Sequence, residues 1–98
     1  MVRHIVMWKL VPSPDMAERA MDIKENLEAL KDKIGLIVDI EVGININTAD
    51  TVSDVVLVST FNSVEELNEY QNHPAHKAVG AHYVKPFVEE RRVCDYEF

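Results

Sequence analysis

The sequence predicts an α+β fold of order β-α-β-β-α-β, a four-stranded antiparallel sheet with both helices packed on one face. Three observations lead there. The chain opens on strict alternation, with Val2, His4, Val6, Trp8 and Leu10 on one face and Arg3, Ile5, Met7 and Lys9 on the other. It then changes to helical periodicity, Met16, Ala20, Ile23, Leu27, Leu30 and Ile34 recurring at spacings of three and four. Two further alternating stretches follow with no helix between them, then a second helical region and a last alternating tail.

Each element has its own signals. Val11-Pro12-Ser13-Pro14 ends the first strand, and Ser13 is expected to cap the next helix with Pro14 in its first position. The apolar stripe from Met16 to Ile34 predicts one continuous helix, closed by Gly35 as a left-handed C-terminal cap. Its charges (Glu18, Arg19, Asp22, Lys24, Glu25, Glu28 and Lys31) read as a solvated face. The second strand is expected over Leu36 to Ile44, with Leu36, Val38, Ile40, Val42 and Ile44 on one side and Ile37, Asp39, Glu41 and Gly43 on the other. Residues 45–53 are polar and turn-rich, a loop. Asp54 to Phe61 is a third strand, apolar on both faces at Val55-Val56-Leu57-Val58, so it needs cover on both sides.

Ser63-Val64-Glu65-Glu66 has the form of a capping box and opens a helix carrying Val64, Leu67 and Tyr70 inward. Pro74 breaks it by removing an N–H and crowding the preceding turn. A second piece is expected from Ala75 to Tyr83, ended by Pro86. The tail 88–98 is the last strand, with Arg92, Cys94, Tyr96 and Phe98 on one face and Arg91, Val93 and Asp95 on the other.

Composition narrows the class. The 98 residues fit a single domain spanning 1–98, with 47% hydrophobic and 28% charged residues, as in an ordinary globule. A net charge of −7 argues against nucleic acid and anionic membrane surfaces as partners. No apolar run approaches the ~20 residues of a membrane span, and no signal segment opens the chain. Cys94 is alone, so neither an intrachain disulfide nor a cysteine-based zinc site is available. A cytoplasmic protein is expected. Helices on one face leave Ile5, Met7 and the outer face of the third strand bare, which predicts a homodimer through sheet-to-sheet packing.

Four segments together resemble the stress-responsive A/B barrel (Dabb) family. They are the opening Val2-Arg3-His4-Ile5-Val6-Met7-Trp8-Lys9-Leu10, Ile40-Glu41-Val42-Gly43, Tyr70-x-x-His73-Pro74-x-His76, and Val93-Cys94-Asp95-Tyr96. The resemblance spans essentially the whole chain and is most specific in the His-Pro-x-His motif joined to the first-strand histidine. It implies a ferredoxin-like subunit in a dimeric α+β barrel, with many members of unassigned activity. It also implies a pocket between sheet and helices, in which a plant member closes a linear polyketide by aldol condensation without metal or organic cofactor. The residues that match by motif are His4, Tyr70 and His76, the candidate catalytic set. Trp8, His73 and Val79 are the candidate ligand contacts.

The chemistry of those residue types is coherent. A neutral imidazole accepts a proton near neutral pH, so His76 is a candidate base for a proton alpha to a carbonyl. Tyr70 and His4 would hold the substrate and stabilise an enolate oxygen. Each has a plainer reading: His4 as a hydrogen-bonded core histidine, Tyr70 as a core aromatic, His73 as a brace of the helix break. His73-x-x-His76 could start a zinc site, but zinc needs three or four ligands and only distant His82 or an unplaced acid could add to them. No metal or cofactor is therefore expected. The expected function is a small-molecule-binding homodimer. The alternatives are a cofactor-independent cyclase, lyase or isomerase on a carbonyl compound, and a cofactor-free monooxygenase. An enzyme is expected to show a cavity of roughly 300 Å³ or more with converging polar groups.

Overall fold

Strand β1 (Val2–Leu10) lies inside the sheet, and its neighbours assemble on either side of it. The structure is a computed structural model that describes residues 1–98. β2 (Asp39–Ile44), β3 (Val55–Phe61) and β4 (Val88–Glu97) complete an antiparallel sheet of order β2-β3-β1-β4, the ferredoxin-like arrangement expected. Across the sheet from β1 run α1 (Met16–Glu28), the short α2 (Leu30–Lys33), α3 (Val64–Asn72) and α4 (Pro74–Val79). A π-helical turn (Gly80–Val84) and a 3₁₀ turn (Lys85–Phe87) lead into β4.

The period-two pattern of β1 divides as expected. Val2, His4, Val6, Trp8 and Leu10 are buried, while Met7 on the other face is 41% exposed. The buried face meets Ile23 and Leu27 of α1, Leu30 of α2 and Leu67 of α3, and removing each such side chain from water contributes ~1.5–3 kcal/mol. The bare face carries Ile5 and Met7 beside half-buried Val56 and Val58, with Tyr96 and Cys94 exposed from β4. β3 is thus covered on one side within a single chain.

Several local expectations are corrected. Ser13 does not cap α1 itself: its hydroxyl accepts from Asp15 N–H at 3.0 Å, forming a turn, and the helix starts at Met16. The helix is interrupted at Ala29, so the stripe is carried by two pieces. Gly35 is not a left-handed cap, because no residue has positive φ; the chain leaves through an extended Ile34 (φ −127°, ψ 102°). β2 begins at Asp39, since Leu36 sits in a turn that buries Ile37 and leaves Val38 exposed, the reverse of the expected faces. Lys31 anchors that turn by donating to the Ile37 carbonyl at 3.1 Å.

The charged face of α1 does more than meet solvent. Glu28 accepts from Val42 N–H and from Lys24, both at 3.0 Å, and Lys24 donates to the Val42 carbonyl at 2.6 Å. Together they occupy the N–H and C=O that Val42 presents at the sheet edge. Burial works against the Glu28 carboxylate, but the Val42 amide and the Lys24 ammonium outweigh it and hold its pKa below the ordinary value.

Candidate active site

The site begins with a pairing between the first and last strands. Antiparallel register sets His4 opposite Asp95, and the His4 Nδ1–H donates to the Asp95 carboxylate at 2.5 Å. His4 is 2% exposed, whereas the Asp95 side chain is 40% exposed, so the dyad joins the core to the solvent edge. A carboxylate can only accept, which fixes the His4 tautomer and leaves its Nε2 as the ring's second polar atom. On the other flank Ser59 donates its hydroxyl to the His4 carbonyl at 3.2 Å, steadying the strand at this point.

The second histidine is placed by the helix break. His73, preceding a proline, is extended (φ −66°, ψ 135°), and its Nδ1 accepts from Ala75 N–H at 3.0 Å, capping α4. That cap fixes where the first turn of α4 begins, and with it His76. The His76 Nδ1–H donates to the Gln71 carbonyl at 3.1 Å, so its Nε2 retains the lone pair. Burial lowers the His76 pKa; the Gln71 bond opposes this, while the charges of His4, Arg91 and Lys85 reinforce it.

Tyr70 stands behind His76. Its ring lies 4.5 Å from the His76 ring and 4.8 Å from Phe61, centroid to centroid. It is fully buried, and its hydroxyl has no hydrogen-bond partner in the protein. Burial raises its pKa, so it remains a phenol, a donor without an acceptor.

A cavity of about 170 Å³ between sheet and helices is lined by His4, Val6, Trp8, Leu27, Leu57, His76, Gly80, Val84, Lys85 and Arg91. Of the residues singled out in sequence, it gathers His4, Trp8 and His76. Tyr70, His73 and Val79 do not line it. Asp95, Lys85, Arg91 and Gly80 were not singled out. Alternation had put Arg91 and Asp95 on one strand face, but placing that face against His4 and Trp8 needs the β1–β4 register. The cavity falls short of the roughly 300 Å³ expected of an enzyme, so by volume it limits any substrate to a small molecule and favours the binding reading, while two imidazoles do converge on it. Two wider hollows, of about 460 and 470 Å³, lie on the bare sheet face around Met7 and Ile5, away from both histidines. No three His, Cys, Asp or Glu side chains converge in a metal-holding cluster.

The π turn shapes this cavity. Such turns insert one residue into a helical path and are frequent at functional sites. Here Gly80 and Val84 contribute to the lining at either end of it. A Cβ added at Gly80 would meet nothing within 4 Å.

The model of the stress responsive A/B barrel domain family matches residues 2–98. Among solved structures, a dimeric protein of unknown function with a ferredoxin-like fold from Bacteroides fragilis is 37% identical. That likeness covers 99% of this chain and 95% of that one, at a TM-score of 0.90. An Arabidopsis thaliana protein is 22% identical over 100% of this chain and 95% of its own, at a TM-score of 0.81. A hydroxynitrile lyase from Passiflora edulis shares the fold at 19% identity, covering 97% and 90%, at a TM-score of 0.73. No curated protein matches.

Proposed function

The chain belongs to the stress responsive A/B barrel domain family, and from that premise we propose a homodimer whose subunits each bind a small carbonyl compound and move its α-proton without a cofactor. The observation that carries this reading is the fixed tautomer of His76. A cavity-lining imidazole whose Nδ1–H is committed to the Gln71 carbonyl offers an unprotonated Nε2, and its lowered pKa keeps it in that form at neutral pH. In the reaction Nε2 takes the proton from the carbon beside the carbonyl, and the C–H electron pair passes into the enolate. His4, when protonated and held by Asp95, donates from Nε2 to the enolate oxygen. Tyr70, whose ring lies 4.5 Å from the His76 ring and whose buried hydroxyl has no partner, is the second donor, and since it does not line the cavity it must move to reach that oxygen. The enolate then adds to an electrophile, expels a leaving group or is reprotonated, corresponding to cyclase, lyase or isomerase outcomes.

Support for the homodimer comes from the bare apolar face and from the dimeric state of the ferredoxin-like relatives from Bacteroides fragilis and Thermobifida fusca. The deciding experiment is NMR measurement of α-proton exchange into D₂O for a panel of small carbonyl compounds. The wild-type chain is expected to accelerate exchange, and His76→Asn to lose about 10²–10⁴-fold of the acceleration. Equal acceleration by the two proteins removes His76 from the role of base. Binding without any acceleration leaves the small-molecule-binding homodimer as the function.

A further inference from the structure

The cavity has a cationic rim that the proton-transfer chemistry does not use. Lys85 stands in the 3₁₀ turn after the π turn, and Arg91 stands on β4 opposite Trp8. Both line the same cavity as His4 and His76. They approach it from different elements, one across the top of the helical layer and one along the sheet edge.

Regular pairing with β1 sets the position of Arg91, and a β-bulge follows along β1 immediately beside it. Trp8 pairs with Arg91, Lys9 with Glu90 and Leu10 with Val88, so Glu89 is the extra residue. Strict alternation would put Val88 and Arg91 on opposite faces. The bulge lets Val88 pack against the core while Arg91 still faces the cavity.

Neither cation is neutralised. The ion pairs of the chain are His4–Asp95, Lys24–Glu28 and Arg92–Glu90, and none includes Lys85 or Arg91. The nearby acids are otherwise placed: Glu90 binds Arg92, Asp95 binds His4, and Glu89 makes no ion pair. Only Lys24 and Arg92 of the 10 Lys and Arg residues are in ion pairs, so what distinguishes Lys85 and Arg91 is that both line one histidine cavity in a chain with 17 acidic residues. They lie where a ligand's negative group would sit while its carbonyl enters toward His76. The size agrees, since about 170 Å³ corresponds to roughly five or six water volumes of ~30 Å³.

We propose that Lys85 and Arg91 form a carboxylate clamp, and that the site takes small anionic carbonyl compounds, oxo acids, rather than neutral ketones or aldehydes. The clamp rests on the carbonyl reading of the same cavity and adds the substrate class to it. Arg91 supplies a planar, forked donor suited to a carboxylate, and Lys85 a mobile point charge.

The test compares 2-oxobutanoate with its neutral analogue 2-oxobutanamide on the full-length protein. Affinity is read by NMR titration and α-proton exchange by deuterium uptake. The carboxylate is expected to bind about five- to tenfold more tightly than the amide at low salt, with the margin shrinking as salt rises. Lys85→Gln and Arg91→Gln each reduce that margin, and the double variant removes it. Equal affinity for the two probes, a margin that survives the double variant, or no carboxylate binding at millimolar concentration overturns the clamp. His76→Asn separates the two ideas. If the margin stands and His76→Asn exchanges the probes as fast as wild type, the base assignment fails and the clamp holds. If wild type binds both probes equally and His76→Asn loses the exchange, the clamp fails and the base holds.

Discussion

His76 and Tyr70 are in ring contact, and the protein handles their polar atoms in opposite ways. His76 has one nitrogen satisfied and one free, whereas the Tyr70 hydroxyl is buried with nothing to bond. An unsatisfied buried hydroxyl costs about 1–3 kcal/mol. Tyr70→Phe should therefore raise stability by about 1 kcal/mol, read as a higher midpoint in urea unfolding. If the hydroxyl serves the enolate, the same variant loses α-proton exchange, so stability and activity move in opposite directions. For His76 the sign follows from its lowered pKa. Unfolded His titrates near pH 6.5, so above that value neither state binds the proton and stability is unaffected. As pH falls below about 6.5 the unfolded chain is protonated first, and stability declines through the lower folded value. The groups facing His76 are Tyr70, His4, Lys85 and Arg91, and none supplies a carboxylate to reverse that sign. Urea midpoints measured from pH 8 to 5 should fall for wild type and fall less for His76→Asn. The exchange rate should decline over the same acidic limb.

Among the elements, the turn Gly80–Val84 is the most informative. Gly80 has ordinary helical dihedrals (φ −58°, ψ −45°), so nothing in its backbone requires glycine. A helical glycine costs about 1 kcal/mol relative to alanine, and here the space a Cβ would fill is open cavity. Gly80→Ala is expected to stabilise the fold by about 0.5–1 kcal/mol, and Gly80→Val to reduce ligand affinity by narrowing the cavity. Thermal unfolding and ligand titration check the two effects separately. The elements were not equally legible in sequence. β1 and the start of α3 were read from alternation and from Ser63, whose hydroxyl accepts from Glu66 N–H at 3.1 Å. The reciprocal half of that capping box is absent, one Glu66 oxygen being buried without a partner. The start of β2 was misread because alternating Leu36, Val38 and Ile40 look the same in a strand and in a turn that tucks Ile37 underneath. Asp95 and Arg91 were missed as site residues because His4 meets Asp95 across 91 positions of sequence, through a register that no local pattern encodes.

For the molecule as a whole, the sheet face opposite the helices carries the prediction. Met7, at 41% exposure in a single chain, lies on an inner strand of that face. A stable partner would bury on the order of 800 Å² per subunit there. Met7→Lys should weaken the dimer at least about tenfold in sedimentation equilibrium by placing a charge in an apolar contact. A wild-type chain that sediments as a monomer at micromolar concentration removes the dimer. The overall architecture was readable because fold class depends on the order of periodicities, and that order survives local errors at Gly35 and Leu36. The site needed more, since its contacts are set by the register of β4 on β1 and by the helix break at Pro74.

The alternation of β1 has a further consequence. Even positions (His4, Val6, Trp8) face the cavity, and odd positions (Ile5, Met7) face the bare side. One strand thus serves two tasks through a single pleat, with few side chains shared between them. Such a division makes the protein modular to engineering. A library varied at Val6 and Trp8 should shift which ligand is accepted and leave assembly intact. A library varied at Ile5 and Met7 should rewire self-recognition without altering ligand choice.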